Sequence, residues 1–301
     1  MRIVSLLPAA TEIVAGLGAI DQLVGVTHEC DWPAAVRALP RVTSSAVQAQ
    51  ASAGAVDAQV REVAAEGGSL FTLDDARIRS LAPELILTQQ LCDVCAVSET
   101  VVRALARTLP GPPRVITLNA TRFDVVLDDI AVVAAAIGAS DEADELVAGL
   151  RARLRHVHDT LRAARAPRPR VAVIEWTAPI YAAGHWVPEM VRRAGGTDVL
   201  ARPGAHSVTV TPDAVRAADP DVLFVSPCGY DAARAYDEAG ALLTRDEWAW
   251  ARGRAVWALD ANGLVSRPGP RLATGVEAMA AAMHPALFPP QLPGQARRLA
   301  T

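Results

Sequence analysis

The sequence predicts an α/β protein of two lobes with parallel-rich sheets, joined by a single long α-helix. Three observations carry that expectation. Short β-branched runs alternate with alanine-rich helical segments, which is the α/β pattern. A stretch without strand signal reads as one helix of about 26 residues, or ~39 Å at 1.5 Å per residue. A helix, a Pro-acid pair and a buried strand occur twice, once ending in Leu81-Ala82-Pro83-Glu84-Leu85-Ile86-Leu87 and once in Ala217-Ala218-Asp219-Pro220-Asp221-Val222-Leu223-Phe224.

The first lobe spans residues 1–122. Strands are expected at Arg2–Leu7, Leu23–Thr27, Leu70–Leu73, Leu85–Thr88 and Val115–Leu118. A first helix opens at Pro8, where a fixed φ suits the first turn, and closes at Gly18. Val56, Val60 and Val63 share one face of a helix over Val56–Glu66. Asp74–Leu81 and Ser98–Leu109 supply further helices. Residues 123–166 form the helical linker. Gly138 interrupts it, Ser140 caps the long helix, and Asp141–Ala166 carries the stripe Leu146, Val147, Leu150, Leu154, Val157 and Leu161. The second lobe spans residues 167–301, with strands at Val171–Glu175, Val222–Val225 and Val256–Leu259. Its helices are expected at Val187–Ala194, Pro212–Ala218, Thr244–Ala251 and Pro270–Met283, and the tail from Leu287 reads as loose.

Composition narrows the function. The chain has 301 residues, 51% of them hydrophobic, and a net charge of −4. That suits a large core and offers no basic field for nucleic acid. All 29 basic residues are arginine, so a Walker lysine and a Schiff-base lysine are excluded. No hydrolase signature or phosphate loop is present. No run approaches the ~20 apolar residues of a membrane span. The first residues read as a strand rather than a secretion signal. A native start at Met1 would make the protein cytoplasmic; a removed signal would make it periplasmic or cell-surface.

Chemistry-bearing residues gather where loops follow strands, the side on which open α/β sheets bind ligands. All four cysteines, Cys30, Cys92, Cys95 and Cys228, lie in such loops. Cys92-Asp93-Val94-Cys95 with two more thiols, joined by His28 and His185, suits zinc or an iron–sulfur cluster. His28, Glu29, Trp32, Glu175, Trp176, His185, Trp186, His206 and Tyr230 are the other candidate ligand contacts. Tryptophan faces suit a flat macrocycle and neutral imidazole suits cobalt or zinc. Arg267 and Arg271, at the start of the last helix, suit an anion. His156, His158 and His284 read as solvated surface, and Trp248, Trp250 and Trp257 as packing.

Ile3-Val4-Ser5-Leu6-Leu7-Pro8-Ala9-Ala10-Thr11-Glu12-Ile13, Val24-Gly25-Val26-Thr27, the Leu81–Leu87 segment, the long helix and Arg267-Pro268-Gly269-Pro270-Arg271 resemble class III periplasmic binding proteins. Cobalamin binders are the most similar members, over most of residues 1–285. The resemblance implies a cobalamin-like corrinoid or related metal-containing small molecule as ligand, held in a cleft between the lobes. It also implies a membrane subunit of an ABC transporter as partner, with Asp213 where such proteins place an acidic contact. The alternative that the cysteines raise is a metal or iron–sulfur protein, with enzymatic activity open, on a recycled binding fold.

Overall fold

The computed structural model describes residues 1–48, 51–66, 68–90, 97–289, 292 and 294–300. It contains two compact units: Met1–Ala120 with Val125–Val147, and Thr121–Asp124 with Ala148–Thr301.

The first unit runs β1 (Ile3–Ser5), α1 (Pro8–Gly16), β2 (Leu23–Val26), β3 (Thr43–Ser45), α2 (Ala53–Ala65), β4 (Phe71–Leu73), α3 (Asp75–Leu81), β5 (Leu85–Gln89), α4 (Glu99–Thr108) and β6 (Arg114–Leu118). Its sheet has the order β2-β1-β5-β6, with every pair parallel. Parallel sheets of this kind are covered on both faces, and β1 and β5 are buried along their whole length, including Ser5, Thr88 and Gln89. Val4, Ile86, Ile78, Val102 and Leu105 form one core cluster. The expected strand at Leu70–Leu73 is present as β4, but it pairs antiparallel with β3 outside the main sheet.

The strandless segment contains two helices, α5 (Phe123–Ile137) and α6 (Ser140–Ala163). Gly138, at φ +75°, separates them. Leu150, Leu154 and Val157 of the predicted stripe are buried.

The second unit continues with β7 (Arg170–Thr177), β8 (Ile180–Ala182), α7 (Val187–Arg193), β9 (Thr197–Asp198), β10 (Val208–Thr209), α8 (Pro212–Ala217), β11 (Val222–Val225), α9 (Ala232–Thr244), β12 (Ala255–Leu259), α10 (Ala261–Leu264), α11 (Leu272–Met283) and β13 (Ala296–Arg298). The sheet order is β10-β8-β7-β11-β12-β13, with β9 beside β7. Its centre, β7-β11-β12, is parallel; β8 and β13 run antiparallel to it, and β10 pairs antiparallel with β8. Two expectations change here. The tail expected to be loose supplies β13, which covers the otherwise open edge of β12. The helix expected at Thr244–Ala251 is a 3-10 helix over Asp246–Ala251, preceded by the unanticipated α9. Asp231 caps α9 by accepting the Arg234 N–H, while Ala235, Ala239 and Leu242 face the core. Trp248 is completely buried in that core.

The internal repeat is realised atom by atom. After α3, Ala82 takes a left-handed φ of +41°; after α8, Asp219 takes +43°. Glu84 accepts the Arg2 backbone N–H at 2.7 Å, and Asp221 accepts that of Arg170 at 2.8 Å. Each arginine also reaches the closing turn of its helix. Arg2 Nε donates to Leu81 O, and Arg170 donates to Asp219 O and Ala218 O.

Glu189 on α7 is 1% exposed and accepts from Phe123 N at 2.7 Å and Arg122 Nη2 at 2.8 Å. It thereby satisfies a first-turn N–H of α5 that the helix itself leaves open. Burial pushes the carboxyl up, but the Phe123 N–H and then the Arg122 and Arg192 guanidinium groups outweigh it. The net pKa lies below the ordinary 4.5.

These contacts set two expectations for stability. A Cβ at Gly275 of α11 would come within 2.2 Å of Leu264 O and 2.6 Å of Met190 Cε. Gly275→Ala should therefore cost about 2–3 kcal/mol, seen as a lower urea midpoint. For Glu189, a depressed folded pKa adds stability that is present above the unfolded value near 4.5 and lost as pH falls through the folded value. Glu189→Gln should melt well below the parent at neutral pH, and the gap should close on acidification. A gap independent of pH would contradict the charged role.

Candidate functional site

In the second unit the strand ends β7 and β11 bring together Glu175, Trp176, Cys228 and Tyr230. Cys228 N donates to Glu175 O at 3.1 Å, which folds the loop after β11 against the end of β7. Trp176 and Tyr230 meet edge-to-face with ring centroids 5.6 Å apart. The Arg234 guanidinium lies 3.5 Å over the Tyr230 ring. Tyr230 is buried, Glu175 and Trp176 are half-buried, and the Cys228 thiol is exposed.

Beside this edge, two loops are locked together around His185. Gly184 N donates to Ser207 Oγ, His185 N donates to Ala205 O, and Gly204 N donates to His185 O. A Cβ at Gly184 would lie 2.5 Å from Ala205 O, so only glycine allows this approach. His185 itself has φ +53°, a left-handed conformation that side-chain-bearing residues take at a cost and that concentrates at functional sites. Its ring meets His206 edge-to-face at 5.2 Å. Nδ1 is enclosed without a partner, and among the described residues Nε2 has none either. Burial, and then the neighbouring His206, hold the His185 pKa below 6.5. The ring is therefore neutral at pH 7.

Trp186 does not offer an open face. It is 5% exposed and its indole N–H donates to Val265 O at 2.8 Å, so it packs beneath the histidine. Arg267 is also buried, and its Nη2 donates to Asn262 Oδ1 at 2.7 Å. Arg271 lies beside Asp260, which caps α10. Both arginines thus belong to the packing around α10, where the sequence suggested an anion site. His284, expected on the surface, is buried against Gly195, because the end of α11 packs inward. His156 and His158 are exposed as expected.

In the first unit the loop after β2 carries His28, Glu29, Cys30 and Trp32. Cys30 is 1% exposed, and its Sγ lies 3.1 Å from Thr11 Oγ1 and 3.2 Å from Thr27 Oγ1. Arg41 Nη1 donates to Thr27 O and Cys30 O, which pins the loop from outside. Glu29 is exposed, His28 is half-buried, and Trp32 is 50% exposed. Cys92 and Cys95 lie outside the described residues. Among the described residues, no three His, Cys, Asp or Glu side chains gather as a metal site.

Sequence reasoning assigned no role to Glu189 or Thr43. Glu189 follows Val187-Pro188 and reads as an ordinary first-turn acid; only its burial reveals the anchor. Thr43 lies far from His28 in sequence, and nothing in the pattern pairs them.

The profile of the periplasmic binding protein family matches residues 3–251. A Bacillus subtilis protein named an uncharacterized ABC transporter substrate-binding lipoprotein is 26% identical over 295 residues, 95% of this chain and 81% of its own. The vitamin B12-binding protein of Vibrio cholerae is 23% identical over 92% of this chain and 86% of its own. A periplasmic heme-binding protein from Pseudomonas aeruginosa superposes with a TM-score of 0.74 at 23% identity, over 100% of this chain and 98% of that one. No described helix is long and apolar enough to cross a membrane. With a match over most of its length, joined to this strand order and internal repeat, the chain belongs to the periplasmic binding protein family.

Proposed function

We propose that this protein is the substrate-binding component of an ABC-type importer and that its cargo is a metal-centred tetrapyrrole, a corrinoid in the first instance. The observation that carries the reading is His185. Its backbone is strained, its loop is locked by three hydrogen bonds, its ring is neutral, and neither ring nitrogen has a described protein partner. An imidazole held in this way suits an axial position on cobalt or iron. Trp176, half-buried in the same unit, offers an aromatic surface to a flat ring. The names of relatives lend support: one binds vitamin B12, one binds heme, and one is a transporter lipoprotein. They favour an exported protein with a membrane-transporter partner and give no support to a cytoplasmic one.

The alternative of a cysteine-held metal or cluster draws less from the described residues. The buried Cys30 thiol is occupied by two threonine hydroxyls. Metal analysis of the purified protein separates the two readings: zinc or iron at one equivalent without added tetrapyrrole would favour the alternative.

Hydroxocobalamin and hemin, titrated separately and followed by their absorbance bands, test the proposal. His185→Ala should weaken binding of the preferred ligand about tenfold or more and remove the band shift that marks a new axial ligand. Because only neutral imidazole can coordinate, affinity should be flat above about pH 7.5, one unit clear of the ordinary 6.5. It should fall once the pH drops below the lowered pKa of His185, which lies under 6.5. Full affinity and an unchanged band position in His185→Ala would refute the assignment.

A further inference from the structure

His28 and His185 look equivalent in sequence, but their surroundings give them opposite chemistry. Thr43 Oγ1 accepts the His28 backbone N–H at 3.1 Å and lies 2.7 Å from His28 Nδ1. Thr43 is 8% exposed, and its hydroxyl has no other partner among the described residues. A threonine hydroxyl has one hydrogen to give and two lone pairs to offer. If Nδ1 carried the ring proton, Oγ1 would accept twice, and its own hydrogen would be buried and unmatched. That arrangement is costly compared with one in which every group is paired. When Thr43 donates to Nδ1, the oxygen, its hydrogen and Nδ1 are all satisfied. The neutral ring must then hold its proton on Nε2, which no described residue bonds.

The neighbours keep the ring in this state. The Phe71 ring lies 5.7 Å from the imidazole in a tilted contact. Burial, and then the Arg41 guanidinium, hold the His28 pKa below 6.5. Arg41 also fixes the loop on either side through Thr27 O at 2.9 Å and Cys30 O at 2.7 Å. Thr43 and Phe71 belong to the antiparallel pair β3-β4, so that small ladder forms the cradle of the histidine.

We infer that Thr43 is a positioning residue that fixes His28 as an Nε2–H donor, and that this donor binds an acceptor oxygen on the ligand, a carboxylate or an amide carbonyl. His28 is thereby removed from the set of metal ligands expected from the sequence, because its one ring lone pair faces Thr43. The ligand half of this inference rests on the tetrapyrrole reading; the tautomer half does not.

The first test needs no ligand. Long-range proton–nitrogen correlation spectra of protein with labelled histidine, at about pH 7.5, should show His28 protonated at Nε2. Thr43→Val should lose that pattern and Thr43→Ser should keep it, with both variants folded by circular dichroism. A wild-type His28 protonated at Nδ1, or an unchanged pattern in Thr43→Val, would overturn the positioning role. The second test titrates hydroxocobalamin, which carries amides, and hemin, which carries carboxylates. His28→Ala and Thr43→Val should weaken binding about tenfold. His28→Gln, whose terminal amide supplies a donor near the Nε2 position, should stay within about threefold of the parent. Loss confined to hemin identifies a carboxylate acceptor, and loss confined to hydroxocobalamin an amide. If His28→Gln is as weak as His28→Ala, the donor assignment is wrong. If the parent protein binds neither probe, the ligand half falls with the functional proposal, and the spectra alone decide the role of Thr43.

Discussion

A parallel sheet has to solve one problem at the edge where its strands begin. The helix that precedes each strand ends there with carbonyls that have no partner within the helix. In both units an arginine at the head of the first strand closes that edge. Arg2 and Arg170 offer their backbone N–H to the acid of a Pro-acid pair and their guanidinium groups to the carbonyls closing the preceding helix. Exposed ion pairs alone contribute only about 0–1 kcal/mol, so the value of the clamp lies in position. It holds Ile3 beside Leu85 and Val171 beside Val222. Once those registers are set, the opposite strand ends of each unit fall together. That edge carries His28 in the first unit, and Glu175 near the end of β7 with Cys228 in the loop after β11 in the second.

At that opposite edge the protein uses burial to assign chemistry. Two cysteines in comparable loops diverge completely: Cys30 is enclosed between two threonine hydroxyls, and Cys228 is exposed. Two tryptophans diverge in the same way, since Trp186 is packed under Val265 while Trp32 stands half in solvent. The histidines are both kept neutral by burial, yet one ring is hydrogen-bonded by a hydroxyl and the other has only ring contacts, with no hydrogen bond to its nitrogens among the described residues. A substrate-binding protein needs this division, because a ligand presents apolar surface and polar groups together. Each calls for a different kind of contact.

The sequence by itself determined the α/β class, the strands of both central sheets, the long helix and the repeated helix–Pro-acid–strand unit. These are local patterns: β-branched runs bury themselves on both faces of a parallel sheet, and proline and capping residues punctuate helices wherever they occur. It also placed His28, Cys30 and Cys228 in segments that follow strands, since a loop follows its strand. What only the tertiary structure decided is which of those side chains remain available. Arg267, Arg271, Trp186 and His284 have the residue types of a binding site, and each is drawn into packing: Trp186 and His284 by the remote Val265 and Gly195, the two arginines by Asn262 and Asp260 at the nearby α10. The C-terminal β13 covers the edge that β12 leaves open, and the buried face of α9 is built largely from alanine, a weak apolar signal. Glu189 and Thr43 show the same limit from the other side. Their roles come from hydrogen bonds to residues 66 and 15 positions away. Local sequence pattern encodes neither those distances nor the burial that makes the bonds matter.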